Sequence, residues 1–230
     1  MLDVHVVCAT NRHLYESALD DYFRWRYRCY TLEKGWFPPN ELGLETDQFD
    51  TDDAFHLLGY HEGSLVAGTR LVPCHRPNLL SEVFPTLASR GLPGARHQAD
   101  WTRMFVVPAS RRRGHQGVAG AMVAAVMEYC LDEGISAIGG VQETYWLPRW
   151  ADFGWDVEVL GLPQTIAGTS CVAAMFRCAP EALEGVRAAT GIEGTQIRRR
   201  GPVLRFVDTD PAPASQPRRI DQHPVPEAFL

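Results

Sequence analysis

The sequence predicts an α/β fold with strands and helices stacked as α/β/α layers. Three observations carry this. The chain opens strand then helix, a two-strand hairpin follows over 54–73, and strand-like and helix-like stretches alternate from Asp100 onward.

The elements follow in order. Met1 to Cys8 alternates as a strand, and Asn11 offers an N-cap before Tyr15–Phe23, where apolar residues recur at helical spacing. Between Thr31 and Asp53, Gly, Pro, Asn and acids dominate and no period survives, which predicts a long loop of the kind that carries function. Ala54–Tyr60, the turn His61–Ser64 and Leu65–Pro73 read as a β-hairpin. After a short helix or turn over Leu79–Pro85, Asp100–Val107 reads as a strand ended by Pro108. The basic loop Arg111–Gly117 leads into Val118–Glu133, a largely buried helix. Ser136–Gln142 is a strand, Leu147–Phe153 a helix capped by Gly154, and Trp155–Leu160 and Ser170–Cys178 two more strands. From Gly201 the character changes: six of the sixteen prolines lie in 201–230 among polar residues, which predicts one domain over 1–200 and a mobile tail over 201–230.

Composition narrows the function classes. With 45% apolar, 10% aromatic and 22% charged residues, the chain is too apolar for disorder and carries a core without disulfides. A net charge of -6 argues against a dedicated nucleic-acid binder. The six cysteines contain no C-x-x-C pair, so a reduced, cytoplasmic protein is expected. No apolar run is long enough for a membrane span, and the scattered histidines predict no metal site. Lys34 is the only lysine, so every other basic side chain is an arginine, suited to planar carboxylate or phosphate contacts.

Candidate functional residues gather in the first half of the chain. Arg26 and Tyr30 lie four apart, on one face of a helix that continues that far; Trp36, Asp47 and Asp50 follow on the loop, then Arg70, Phe84 and Asp100-x-x-Arg103. Singly, each has a structural explanation: Arg26 with Asp47 or Asp50 as an ion pair, Trp36 as a loop anchor, Phe84 as a core plug.

Taken together, Arg26-x3-Tyr30-x5-Trp36, Asp47-x2-Asp50, Arg70, Val83-Phe84-Pro85 and Asp100-x2-Arg103-x-Phe105-Val106-Val107 resemble the acyl-homoserine lactone synthases, the LuxI-type autoinducer synthases, over about residues 1 to 180. Tyr30 stands where the family usually has Phe, and Asp100 where it usually has Glu. Shortening that side chain by a methylene withdraws the carboxylate by about an ångström, a displacement that costs on the order of 100-fold in rate unless the strand sits closer or a water fills the gap.

The resemblance implies a GNAT-like α/β/α sandwich with a mixed central sheet. It implies transfer of an acyl group from a thioester, on coenzyme A or an acyl carrier protein, to the amine of S-adenosylmethionine, followed by lactone closure with release of methylthioadenosine and no cofactor. Asp100 is then the first candidate base, with Asp47 and Asp50 as alternatives or orienting partners, since an α-amine needs only a modest base. Trp36 and Tyr30 offer a cation-π surface to the sulfonium, Arg103 a partner for the carboxylate, and Phe105 a wall on the adenosine side. Arg26 and Arg70 fix Asp47 and Asp50. Arg111, Arg112 and Arg113 sit in a loosened form of the acetyltransferase loop and are candidates for the carrier phosphates, or simply a solvated turn. Phe84, Thr144, Trp146 and Leu147 are expected to line the acyl site. Glu143-Thr144-x-Trp146-Leu147-Pro148-Arg149 with Leu160-Gly161-Leu162-Pro163 is similar to a branch that takes short branched or aryl groups from coenzyme A. An N-acyltransferase of the same fold acting on another amine, and a non-catalytic binder of acyl thioesters, are the alternatives.

Overall fold

The computed structural model describes residues 2–111 and 117–208. Among them one mixed sheet contains β1 Asp3–Val7, β2 Phe55–His61, β3 Ser64–Pro73, β4 Gln98–Val106, β5 Ala137–Glu143, β6 Val157–Val159, β7 Gln164–Ile166, β8 Thr169–Arg177 and β9 Ile197–Arg198. Their order across the sheet is β6-β8-β5-β4-β3-β2-β1-β9, with β7 also on β8. The β1–β9 and β4–β5 pairs are parallel and the rest antiparallel. The helices are α1 Glu16–Arg26, α2 Leu79–Glu82, α3 Val118–Glu133, α4 Leu147–Asp152 and α5 Pro180–Thr190.

Alternation along the strands sorts the core into two layers. Val4, Val6, Leu57 and Leu71 point to one face and pack with α3, α4 and α5, where Met122, Val126, Trp150 and Val186 are buried. Val7, Leu58 and Phe105 point to the other and meet Leu19, Tyr22 and Phe23 of α1. The α/β/α layering expected from the sequence is the observed one.

Several local expectations need correction. Asn11 does not cap a helix. Its Oδ1 accepts the Cys8 N–H at 2.9 Å and its Nδ2 donates to the carbonyls of Val6 at 2.9 Å and Arg200 at 3.0 Å, so it ties β1 to the C-terminal segment. Helix α5 escaped the sequence reading, although Pro180 at its first turn and Gly191 in the left-handed conformation at its end are ordinary start and stop signals. The proposed tail begins too early: Phe206 is fully buried, its ring 5.0 Å from that of Phe55, and its N–H donates to Glu133 at 2.9 Å. Residues 209–230 lie outside the described residues.

Two features of the sheet create a site. β4 and β5 pair only over Gln98–Asp100 against Ala137–Gly139, while β4 runs on to Val106 and β5 to Glu143. Beyond Asp100 and Gly139 the strands part, leaving a wedge with Asp100 at its apex. The second feature is a bulge. Between Gly68 and Arg70 of β3 the register with β4 slips, opposite Arg103, whose φ of 57° is left-handed.

Candidate active site

The wedge opens into a cavity of about 480 Å³. One lip is Trp101–Val106, the other Gly139–Glu143; the π-helical turn Tyr27–Glu33 that continues α1 forms one wall, and Trp146, Arg149, Trp150 and Phe153 another. The π-turn presents Cys29, Tyr30, Glu33 and Lys34 to the cavity, a spacing of one, four and five that fits its wider winding. Tyr30 stacks on Trp36 at 5.4 Å with 18° between the planes, and its hydroxyl donates to the Met104 carbonyl at 2.7 Å.

Beneath the wedge lies a buried cluster of three arginines and three carboxylates. Arg70 grips Asp47 with two bonds of 2.5 and 3.0 Å and reaches Asp50 at 2.8 Å. Arg26 bonds Asp50 at 2.7 Å and Glu45 at 2.5 Å, and Arg103 bonds Glu45 at 3.0 Å and Asp47 at 2.8 Å. The charges balance, three against three. Burial alone pushes the carboxyl of Asp50 up, but Arg26 and Arg70 hold it well below the ordinary range; Asp47 is lowered likewise, against burial, chiefly by Arg70.

Asp100 stands beside this balanced set as a fourth carboxylate. Burial pushes it up to about 7; Arg70, the Leu79 N–H and Arg103 pull it down, and Asp47 adds to the rise. Its Oδ2 accepts the Leu79 N–H at 3.3 Å, while Oδ1 is buried without a hydrogen-bond partner. Gly140, at φ +139°, makes the room: a Cβ there falls 2.4 Å from Asp100 Oδ1. Gly140→Ala is therefore expected to displace the carboxylate and cut turnover by about 100-fold. Steady-state rates beside a thermal melt check this, and an unaffected rate removes Asp100 from the chemistry.

The structure gathers most of the residues singled out from the sequence. Tyr30, Trp36, Phe84, Arg103, Phe105, Arg111 and Trp146 line the cavity. Arg26, Arg70, Asp47 and Asp50 lie behind it in the cluster, and Asp100 lies behind the wall formed by Leu79 and Gly140. Arg26 divides its bonds between Asp50 and Glu45 instead of gripping one carboxylate, and the Arg103 guanidinium is already bonded to Glu45 and Asp47. Arg111 bonds Glu33 at 2.8 Å at the rim; Arg112 and Arg113 lie outside the described residues.

Thr144 and Leu147 stand apart from the other candidates. Neither is among the residues that line the cavity: Thr144 opens the 3-10 turn Thr144–Trp146, and Leu147, at the start of α4, packs against the core. From this stretch Tyr145, Trp146 and Arg149 line the cavity, joined by Trp150 and Phe153 further along.

Two residues went unnoticed. Glu45, two before Asp47, is a third acid in Glu45-Thr46-Asp47-Gln48-Phe49-Asp50, and nothing local sets it apart from the other loop acids. His56 packs against Tyr22 and Phe23 beside the cluster, pushed down to about 3 by burial against the opposing pull of Asp50, and is neutral.

Comparison with known proteins points to one family. The family model described as autoinducer synthase matches residues 10–186. Isovaleryl-homoserine lactone synthase of Bradyrhizobium diazoefficiens is 36% identical over 206 residues, covering 89% of this chain and 92% of that protein. An acyl-homoserine-lactone synthase of Ralstonia nicotianae is 28% identical, covering 83% of this chain and 93% of its own. Among solved structures, the CoA-dependent acyl-homoserine lactone synthase BjaI, with SAM and isopentyl-CoA, superimposes with a TM-score of 0.83 at 35% identity over 90% of this chain and 97% of BjaI. An N-acetyltransferase structure from Lactobacillus plantarum, 14% identical with a TM-score of 0.51 over 77% of this chain and all but 1% of its own, shares the fold.

Proposed function

The chain belongs to the autoinducer synthase family and is an acyl-homoserine-lactone synthase, and from that premise we propose that its wedge takes a short acyl group from coenzyme A to the amine of S-adenosylmethionine. The observation that carries the reading is the placement of Asp100: a buried carboxylate at the apex of a sheet opening, next to a neutral charge cluster and an aromatic cavity.

In the first step the α-amine attacks the thioester carbonyl carbon, a C–N bond forms, and the C–S bond to the carrier breaks. Asp100 takes the amine proton through one water, because its carboxylate stands one residue behind the cavity wall, and the proton leaves with the thiolate. In the second step the methionyl carboxylate attacks the carbon bearing the sulfonium, closing the lactone and expelling methylthioadenosine. The sulfonium is already a leaving group, so the reaction runs without a cofactor. Transfer is direct. Burial pushes the thiols of Cys29 and Cys171, which face the cavity, up to about 11, so both stay protonated and poor nucleophiles.

Tyr30 and Trp36 form the sulfonium side. Arg103 meets the substrate carboxylate while still held by Glu45 and Asp47, its direction set by the bulge. Phe105 supports the adenosine side, Arg111 the carrier phosphates. Trp146, Trp150 and Phe84 bound the acyl group, and their bulk favours short branched or aryl chains. Trp146→Ala is expected to move preference toward longer thioesters by about tenfold in kcat/KM, read from a panel of acyl-coenzyme A substrates. A cytoplasmic setting, where both substrates are made, belongs to the proposal; among the described residues no helix is long and apolar enough to cross a membrane.

The decisive experiment is mass spectrometry of purified protein with S-adenosylmethionine and mixed acyl-coenzyme A and acyl carrier protein thioesters. Methylthioadenosine together with a short-chain acyl-homoserine lactone drawn from the coenzyme A pool is the expected result. A product drawn from the carrier-protein pool overturns the donor assignment.

A further inference from the structure

We propose that Lys34 and Glu143 form a clasp across the mouth of the wedge that couples binding of the two substrates, both acting as positioning residues. The inference rests on the synthase reading and deepens it. Lys34 Nζ lies 2.5 Å from Glu143 Oε1 and 4.1 Å from the Trp36 ring centroid, while Glu143 Oε2 accepts the Trp146 indole N–H at 3.1 Å. One carboxylate thus holds both the cation resting on Trp36 and the indole of the acyl wall.

Each end of this link is anchored. Trp36 stacks on Tyr30, which bonds the Met104 carbonyl on the β4 lip. Trp146 stacks on Trp150 at 5.7 Å with 18° between planes, and the Trp150 indole donates to Gln142 Oε1 at 2.6 Å on the β5 lip. The clasp therefore spans the two strands that part beyond Asp100. The π-turn sets its direction: the Lys34 N–H bonds the Cys29 carbonyl at 3.1 Å and the Trp36 N–H that of Tyr30 at 2.9 Å.

The choice of residue follows from the chemistry. Lys34 is the only lysine in a chain with 22 basic residues. An ammonium is a point charge that takes one oxygen of Glu143 and leaves the other to Trp146, whereas a guanidinium fork takes both. Neighbouring charges have their own partners: Arg111 bonds Glu33, and Arg149 lies over the Trp146 ring at 4.7 Å. With the Lys34 and Glu143 side chains 33% and 12% exposed, the pair is largely shielded from water yet sits at the mouth, within reach of an entering ligand.

A ligand packed on either aromatic partner holds the clasp closed, so the second ligand meets both walls already fixed. The test is calorimetric titration of S-adenosylmethionine into the full-length protein, alone and with a saturating, non-reactive thioether analogue of the acyl-coenzyme A. In the wild type the analogue is expected to tighten S-adenosylmethionine by about tenfold. Glu143→Gln, which keeps an acceptor for Trp146, and Lys34→Met are each expected to reduce that gain to within about twofold, with the double variant no worse than either. The charge swap Lys34→Glu with Glu143→Lys is expected to restore part of it.

A merely structural role changes affinity by the same factor with and without the analogue and leaves the gain intact. A gain that persists in both single variants, or no gain in the wild type, overturns the clasp while methylthioadenosine release by the wild type still supports the synthase. A wild type that releases no methylthioadenosine overturns the synthase reading, and the clasp with it.

Discussion

Asp100→Asn lowers turnover by about 10²- to 10⁴-fold, the contribution expected of a positioned base. The wild-type rate rises with pH across about 7, where Asp100 loses its proton, and the variant loses that limb. Stopped-flow thiol release from about pH 5.5 to 9 reads both effects, extending past the range where a free α-amine titrates. A variant with full rate and an unchanged profile assigns the proton transfer to another group. The same substitution makes the protein more stable at pH 8. An aspartate whose carboxyl is raised on folding holds its proton in the folded chain after the unfolded chain has released it, so stability falls as pH climbs from about 4 to about 7 and stays reduced above. Asparagine carries no charge to bury, and the expected gain is roughly 2–4 kcal/mol by urea unfolding. Loss of activity with gain of stability distinguishes a catalytic carboxylate from a structural one.

Arg70→Met destabilises the protein by about 3–5 kcal/mol, because it leaves three buried carboxylates facing two guanidiniums. Equilibrium denaturation at neutral pH measures the loss, and a change within about 0.5 kcal/mol shows that the cluster is not a unit. The deficit depends on pH in a definite direction. In the wild type Asp47 and Asp50 titrate below their unfolded values, so their stabilisation is complete above about pH 4 and is lost only as pH falls through the lowered folded values. In the variant the orphaned carboxylates take up protons more readily, so the difference between the two proteins shrinks on acidification. Arg70→Lys falls between, since an ammonium cannot reproduce the two-pronged grip on Asp47.

Sequence spacing identified Arg26, Asp47, Asp50, Arg70 and Arg103, and the structure unites them; their partners were harder to assign. Arg26 was matched with Asp47 or Asp50, yet its shortest bond is to Glu45, an acid indistinguishable in the sequence from any other loop acid. The π-turn was equally hidden. Helical spacing put Arg26 and Tyr30 on one face, and both do border the charge cluster: Arg26 bonds Glu45 and Asp50, and the Arg103 guanidinium lies 5.5 Å from the Tyr30 ring centroid; that Tyr30 also walls a cavity had no local signal. Thr144 and Leu147 stand outside the cavity lining, and a run of adjacent names carries no direction until the turn over 144–146 is known.

The sequence alone determined the layering, the hairpin, the long helix over 118–133 and the family pattern, because hydrophobic period and motif spacing are local properties of the chain. Tertiary structure decided that Asp100 and Arg103 share one face of the sheet. Three residues apart on a regular strand they face opposite sides of the sheet. The bulge against β3 and the left-handed backbone of Arg103 turn its side chain to the face of Thr102 and Arg70, where it meets Glu45 and Asp47. The parting of β4 from β5 that exposes the site is likewise written in pairing between distant segments. Contacts between residues far apart in the chain set both features, and no window of sequence contains them.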